Sequence, residues 1–234
     1  MLWNNSWTTL KMIKPANSMK RFLSVLLLTI VSFNIAQAQT DPQAQSILAA
    51  VSKKYRSFKA IRTDFTFSVE NKQANVKNTE KGTLYVDSKA NKYKVVMGDK
   101  DLISDGKTQW TYLKDDKEVQ VNNASSSSDA LNPATVFTMY EKGYKYLYTG
   151  ERKVGAKVYQ MIDLSPIDTK VQYFKIRLSV DKVAKQIANV QVFDKNGSVY
   201  AYGINKFVPN VVVPAGTFSF DAKKYPGVEV VDLR

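Results

Sequence analysis

The sequence predicts a mainly β protein (α+β) built on one long, curled antiparallel sheet, with amphipathic helical pieces available to cover one face. Three observations carry this. Apolar and polar residues alternate in strand-like runs from Ile61 to Phe207. Polar turns separate the runs at short intervals, as in a meander of hairpins. Only two stretches, opening at Asp41 and at Asn132, place apolar residues at three- and four-residue steps. A sheet of about eleven strands curls, and an aromatic-lined face leaves a groove or barrel mouth that needs a cover.

Residues 1–38 are read as an N-terminal extension and secretory signal, and residues 39–234 as a single domain. Met19-Lys20-Arg21 supplies a basic start, Phe22 to Ile35 an apolar stretch, and Ala36-Gln37-Ala38 a small-residue cleavage site. The apolar stretch is shorter than the roughly 20 residues of a membrane span, and Ser24, Thr29, Ser32 and Asn34 dilute it. Met1 to Ser18 precede the better start at Met19 and fit no periodic pattern. The expected compartment is therefore the periplasm, after cleavage near Ala38.

The chain carries 34 basic and 21 acidic residues. Lys11, Lys14, Lys20 and Arg21 fall in the leader and no acidic residue does, so the remainder keeps an excess of nine positive charges. The lysines are scattered along polar strand faces without a run, which reads as a solvated surface. With no nucleic-acid motif in an exported chain, nucleic acid is not an expected partner. There is no cysteine and no histidine. That removes disulfides, thiol chemistry, lipidation of the chain itself, the commonest general base and the usual zinc ligand. Asp105 and the Asp115-Asp116 pair sit in turns that side-chain to backbone bonding explains. No nucleophile elbow, phosphate loop or metal-spaced cluster is present, so neither enzymatic activity nor a cofactor is expected.

The first element is a helix capped by Asp41, with Pro42 at its first position and Ile47, Leu48, Val51, Tyr55 and Phe58 on one face. A half-buried strand follows, with Ile61, Thr63, Phe65, Phe67 and Val69 on one side and Arg62, Asp64, Thr66, Ser68 and Glu70 on the other. Short strands are expected at Thr83 to Val86, Lys92 to Met97, Asp101 to Ser104, Thr108 to Leu113 and Lys117 to Val121. The turn Ser104-Asp105-Gly106-Lys107 delivers into a strand that puts Trp110 and Tyr112 on one face and Gln109 and Thr111 on the other. Asn132-Pro133 opens a second helical segment bearing Val136, Phe137 and Tyr140. Strands resume at Tyr144 to Thr149, Val158 to Leu164 and Gln172 to Asp181, the last with Phe174, Ile176, Leu178 and Val180 sharing a face. After Gln186 to Phe193, Asp194-Lys195-Asn196-Gly197 makes a hairpin turn into Val199 to Phe207.

Four stretches carry a family resemblance: Ser57-Phe58 with Asp64-Phe65-Thr66; Gly82 to Val86; the Ser-Asp-Gly-Lys-Thr-x-Trp-x-Tyr run from Ser104; and Phe218-Ser219-Phe220 leading to Pro226 through Val230. In this order they resemble the periplasmic outer-membrane lipoprotein carrier family LolA. The resemblance implies an incomplete β-barrel whose concave apolar face is closed by a helical lid and holds lipoprotein acyl chains between the two membranes. It implies as partners acylated lipoproteins, an inner-membrane ABC lipoprotein-release transporter and an outer-membrane acceptor, with the chain acting as a monomer. The cavity candidates are then Phe65, Phe67, Val69, Leu84, Val86, Tyr93, Val95, Trp110 and Tyr112, and the lid candidates Ile47, Val51, Val136 and Phe137. Where the family carries an Arg-Pro pair whose Arg latches the lid, this chain has Lys89-Ala90, a point donor in place of a planar fork. Two further readings compete. A lipid or lipoprotein sensor, or other hydrophobic-ligand binder, would use the same fold, and an outer-membrane barrel would turn its apolar residues outward in strands of about 10 residues.

Overall fold

Apolar alternation from Ile61 onward builds one sheet of 12 strands. The structure, a computed structural model, describes residues 41–87, 89–124, 137 and 139–234. These all fall in the compact unit Thr40–Arg234; the leader lies outside the described residues, as do Val136 and most of the segment opening at Asn132.

Helix α1 (Pro42–Arg56) precedes strands β1 (Ile61–Asn71), β2 (Val76–Asp87), β3 (Lys92–Val96), β4 (Lys100–Ser104), β5 (Thr108–Leu113) and β6 (Glu118–Asn123). A 3-10 turn (Met139–Glu141) leads to β7 (Tyr144–Val154), β8 (Lys157–Pro166), β9 (Tyr173–Asp181), β10 (Gln186–Asp194), β11 (Val199–Pro209) and β12 (Glu229–Asp232). The strand order is β12-β6-β5-β4-β3-β2-β1-β11-β10-β9-β8-β7, so the sheet is open, with β7 and β12 at its edges. All pairs are antiparallel except β12 on β6, a parallel edge strand absent from the sequence-based expectation. Its short length and acidic residues disguised it.

Local chemistry explains the turns. Asp105 accepts from the N–H groups of Lys107 and Thr108, each at 2.8 Å, and Gly106 adopts φ +92°, a left-handed conformation that suits glycine. A Cβ on Gly106 would stand 2.7 Å from the Ala90 carbonyl oxygen. The β10–β11 turn is the hairpin expected, with Asn196 N–H donating to Asp194 and Gly197 at φ +85°.

Directly opposed residues of antiparallel strands share a face. One face therefore runs as a continuous apolar surface from β7 to β1, through Ile162, Leu164, Ile176, Leu178, Val180, Val190 and Val192, all buried. Helix α1 lays Ala44, Leu48 and Val51 onto the core that includes them. Phe174 departs from the alternation expected of β9. A register irregularity opposite Phe193 and Asp194 turns Tyr173 toward the core, where its hydroxyl meets that of Tyr144 at 2.6 Å, and leaves Phe174 53% exposed.

Candidate functional site

The sheet curls enough for β3, β4 and β5 to face β10 and β11 across a shared hollow. A cavity of about 410 Å³ lies there, walled by Phe65, Leu84, Val95, Met97 and Leu102 on one side and by Ile187, Val190, Tyr202 and Ile204 on the other, with Phe137 above. The curl has a local cause at Gly82, which pairs with Phe65. A Cβ there would come within 2.5 Å of the Phe65 ring and 3.0 Å of the Val96 carbonyl oxygen. The absent side chain lets the ring lie across β2. An extra residue in β11, Asn205, opposite the Asp64–Phe65 step further bends β11 against β1. Thr63, one of the polar groups in the wall, donates its hydroxyl to Lys206 O at 2.9 Å.

Of the candidates, Phe65, Leu84, Val95 and Phe137 meet at this cavity. Val86 and Tyr93 are buried in the core beside it, and Phe67 packs on Tyr200 and Tyr202 further along β1, with Val69 opposite Tyr200. Ile47 and Val51 are buried beneath the helix in the same core and do not line the cavity. Met97, Leu102, Val190, Tyr202 and Ile204 were missed, although each continues the period-two face of its strand; Ile187 was missed too, and reaches that face only through the register irregularity between Ile187 and Asn189.

Trp110 and Tyr112 are corrected. Leu102 pairs with Thr111 and Ser104 with Gln109, so Thr111 and Gln109 face the concave side and the two aromatics face the convex side. There Tyr112 packs on Phe220 and Tyr225, with ring centroids 5.4 and 4.8 Å away, and Trp110 lines a small hollow with Val121, Phe220 and Val230. The C-terminal segment is their cover. Lys89 is exposed in its turn, where its backbone N–H donates to Asp87 at 3.1 Å.

The helix is fastened elsewhere. At its start the Asp41 N–H donates to Tyr146 O at 3.2 Å, and the Tyr148 N–H donates to the Asp41 carboxylate at 2.9 Å, so the cap also occupies the free edge of β7. At its end Lys54 Nζ donates to Ala184 O at 2.5 Å, Arg56 pairs with Glu141, and the Ile187 N–H donates to the Tyr55 hydroxyl at 2.9 Å. Burial pushes the Tyr55 phenol well above its usual range, so it stays neutral there.

The Tyr148 N–H above all, with those of Ala44 and Gln43, holds the Asp41 carboxyl below its ordinary value. A depressed carboxylate contributes its fastening above the unfolded-state pKa, and loses it as pH falls through the lowered folded-state value. Acidification below about pH 4 is therefore expected to speed hydrogen exchange in α1 before the core strands exchange. In Asp41→Asn, which does not titrate, that acid-dependent step should disappear from the helix amides.

A larger groove of about 630 Å³ between α1 and the Met139–Glu141 turn carries Lys53, Arg56 and Glu141 on its walls, charges that hydrocarbon would have to desolvate. The 410 Å³ cavity is the hydrocarbon-compatible site. On the scale at which about 150 Å³ accepts a benzene ring, it accepts on the order of one acyl chain.

An open half-barrel of one curled sheet, with a helix across part of its concave face and an apolar hollow beside it, defines a class of binding fold. The chain belongs to the LolA family: the model described as outer membrane lipoprotein carrier protein LolA matches residues 56–221. That is a family described as outer-membrane lipoprotein carriers. No curated protein matches. Among solved structures, an uncharacterized conserved protein from Thermus thermophilus is similar at 14% identity and TM-score 0.52, over 81% of this chain and 99% of that one. A LolA superfamily protein from Nitrosomonas europaea is similar at 12% identity and TM-score 0.43, over 76% and 98%. The Mycobacterium tuberculosis lipoprotein LppX is similar at 10% identity and TM-score 0.46, over 75% and 99%.

Proposed function

We propose that this protein is a periplasmic carrier that takes lipoprotein acyl chains into the apolar cavity and moves them from the inner to the outer membrane. In this reading residues 1–38 export the chain, an inner-membrane ABC transporter loads it, and an outer-membrane acceptor unloads it. The observation that supports it is the 410 Å³ hollow between β3–β5 and β10–β11, in a chain of the LolA family. The energetics favour such a device. Burying a methylene is worth about 0.8 kcal/mol, so one long acyl chain costs on the order of ten kcal/mol to leave in water. Spontaneous transfer through an aqueous gap is negligible at that cost. A carrier must also give the chain back, so its net hold on the chain must be weaker than the gross transfer energy.

The purified protein, incubated with vesicles holding newly acylated lipoproteins and their release transporter, should draw lipoprotein into the soluble fraction as a complex. Binding of acyl probes without any extraction of lipoprotein would replace the carrier reading with a sensor or lipid-binding role. Binding of neither would end both.

A further inference from the structure

We propose that the cavity accepts an anionic amphiphile, a single acyl chain bearing a phosphate or carboxylate head, with the head held at Lys100 beside a polar strip on β5 and β6. This rests on the reading that the cavity holds acyl chains, and it names a further class of acyl ligand for the same site.

The concave face is mainly apolar only as far as Leu102 of β4, with Lys100 and Ser104 on either side of it. Register then brings Gln109 and Thr111 of β5 inward, opposite Asn122 and Gln120 of β6. An entirely apolar ligand lying across this strip would strip water from hydroxyl and amide groups without replacing their hydrogen bonds. A ligand with one greasy and one polar end matches both halves of the surface.

The sign of the head follows from which polar groups are unspent. Among the described residues, Lys100 is the only charged one that lines the cavity. It is exposed, so its stem lies along the wall while its ammonium marks the solvent edge. Neither Lys100 Nζ nor the Thr111 hydroxyl makes a hydrogen bond or ion pair among the described residues. On the same face Lys100 opposes Leu113, which opposes Glu118, placing that carboxylate two strands away, about 10 Å, where Gln120 Nε2 donates to it at 2.8 Å. The acidic residues of the flanking turns, Asp99, Asp115 and Asp116, are exposed and do not line the cavity. Among the described residues the free groups at this end of the strip thus include a cation and a hydroxyl, the pair that an oxyanion needs.

The test compares three probes of equal chain length below their aggregation limit: oleate, oleoyl lysophosphatidylglycerol and neutral monooleoylglycerol. Each is titrated into the purified protein and its Lys100→Gln and Lys100→Arg variants, with melting curves to show that the fold is kept. The anionic probes should bind on the order of tenfold more tightly than the neutral one, the size of one charge-assisted contact. Lys100→Gln should bring the three to near parity, and Lys100→Arg should retain the preference. Preference for lysophosphatidylglycerol alone assigns the head to a phosphate, for oleate alone to a carboxylate, and for both to charge. Equal binding of all three probes, or a preference that Lys100→Gln leaves intact, overturns the head assignment while the acyl-chain reading stands. Failure of all three to bind overturns that reading as well.

Discussion

Tyr55→Ala is expected to lower stability by about 3–5 kcal/mol, and Tyr55→Phe by about 1–3 kcal/mol. Tyr55 is 2% exposed at the end of α1, with its ring stacked on Phe137 at 4.5 Å and set edge-on to Phe207 at 5.5 Å. Removing the ring empties a closely packed site where helix, Phe137 and β11 meet. Removing only the hydroxyl leaves the Ile187 N–H without its acceptor, at the place where a register break between Ile187 and Asn189 interrupts the ladder with β9. Denaturant unfolding gives the total loss. Hydrogen exchange separates its two parts, because a helix released alone exposes its own amides while β8 and β9 stay protected. Equal acceleration in helix and core strands would show that Tyr55 supports the whole fold and is no local fastening of the helix.

Phe65→Glu is expected to weaken binding of a long-chain acyl probe on the order of a hundredfold. The ring is 6% exposed on the cavity wall, and a polar carboxyl group in its place denies the chain about three or four methylene contacts, near 3 kcal/mol. Trp110→Glu is the contrasting case. Its side chain belongs to the convex layer with Phe220 and Val230, so probe affinity should stay within about twofold, the change leaving the acyl-contact energy untouched, while the C-terminal segment loosens. Limited proteolysis after β11 would read that loosening. Normal acyl affinity in Phe65→Glu would place the hydrocarbon elsewhere, and a large affinity loss in Trp110→Glu would join the convex layer to the site.

The contrast marks what was legible in the sequence. The Asp41 cap, the Pro42 start and the apolar stripe of α1 are local signals, and so is the Asp194–Gly197 hairpin turn. Alternation in β1 correctly grouped Ile61, Thr63 and Phe65 on the buried side. The grouping of Trp110 with Tyr112 was also sound, since period two alone requires it. Their direction was not legible. An aromatic pair on a strand signals a buried face, and this sheet has two: one under α1 and another under the segment that carries Phe220, Tyr225 and β12. A turn position such as that of Lys89 likewise says nothing about which distant carbonyls a helix will reach. The groups that do fasten the helix, Asp41 and Tyr55, looked like an ordinary cap and an ordinary core aromatic.

Composition, periodicity and turn chemistry in the chain thus specify the strands, the helix and the two faces of each strand, because these depend on neighbours within a few residues. Which face of β5 lines the hollow follows from the register passed from β1 through β2, β3 and β4, and from a cover supplied more than 100 residues later. A shift of one residue in any of those pairings would exchange Trp110 and Tyr112 for Gln109 and Thr111. The polar strip beside the cavity therefore exists only in the folded sheet, where long-range pairing sets the direction that local alternation leaves open.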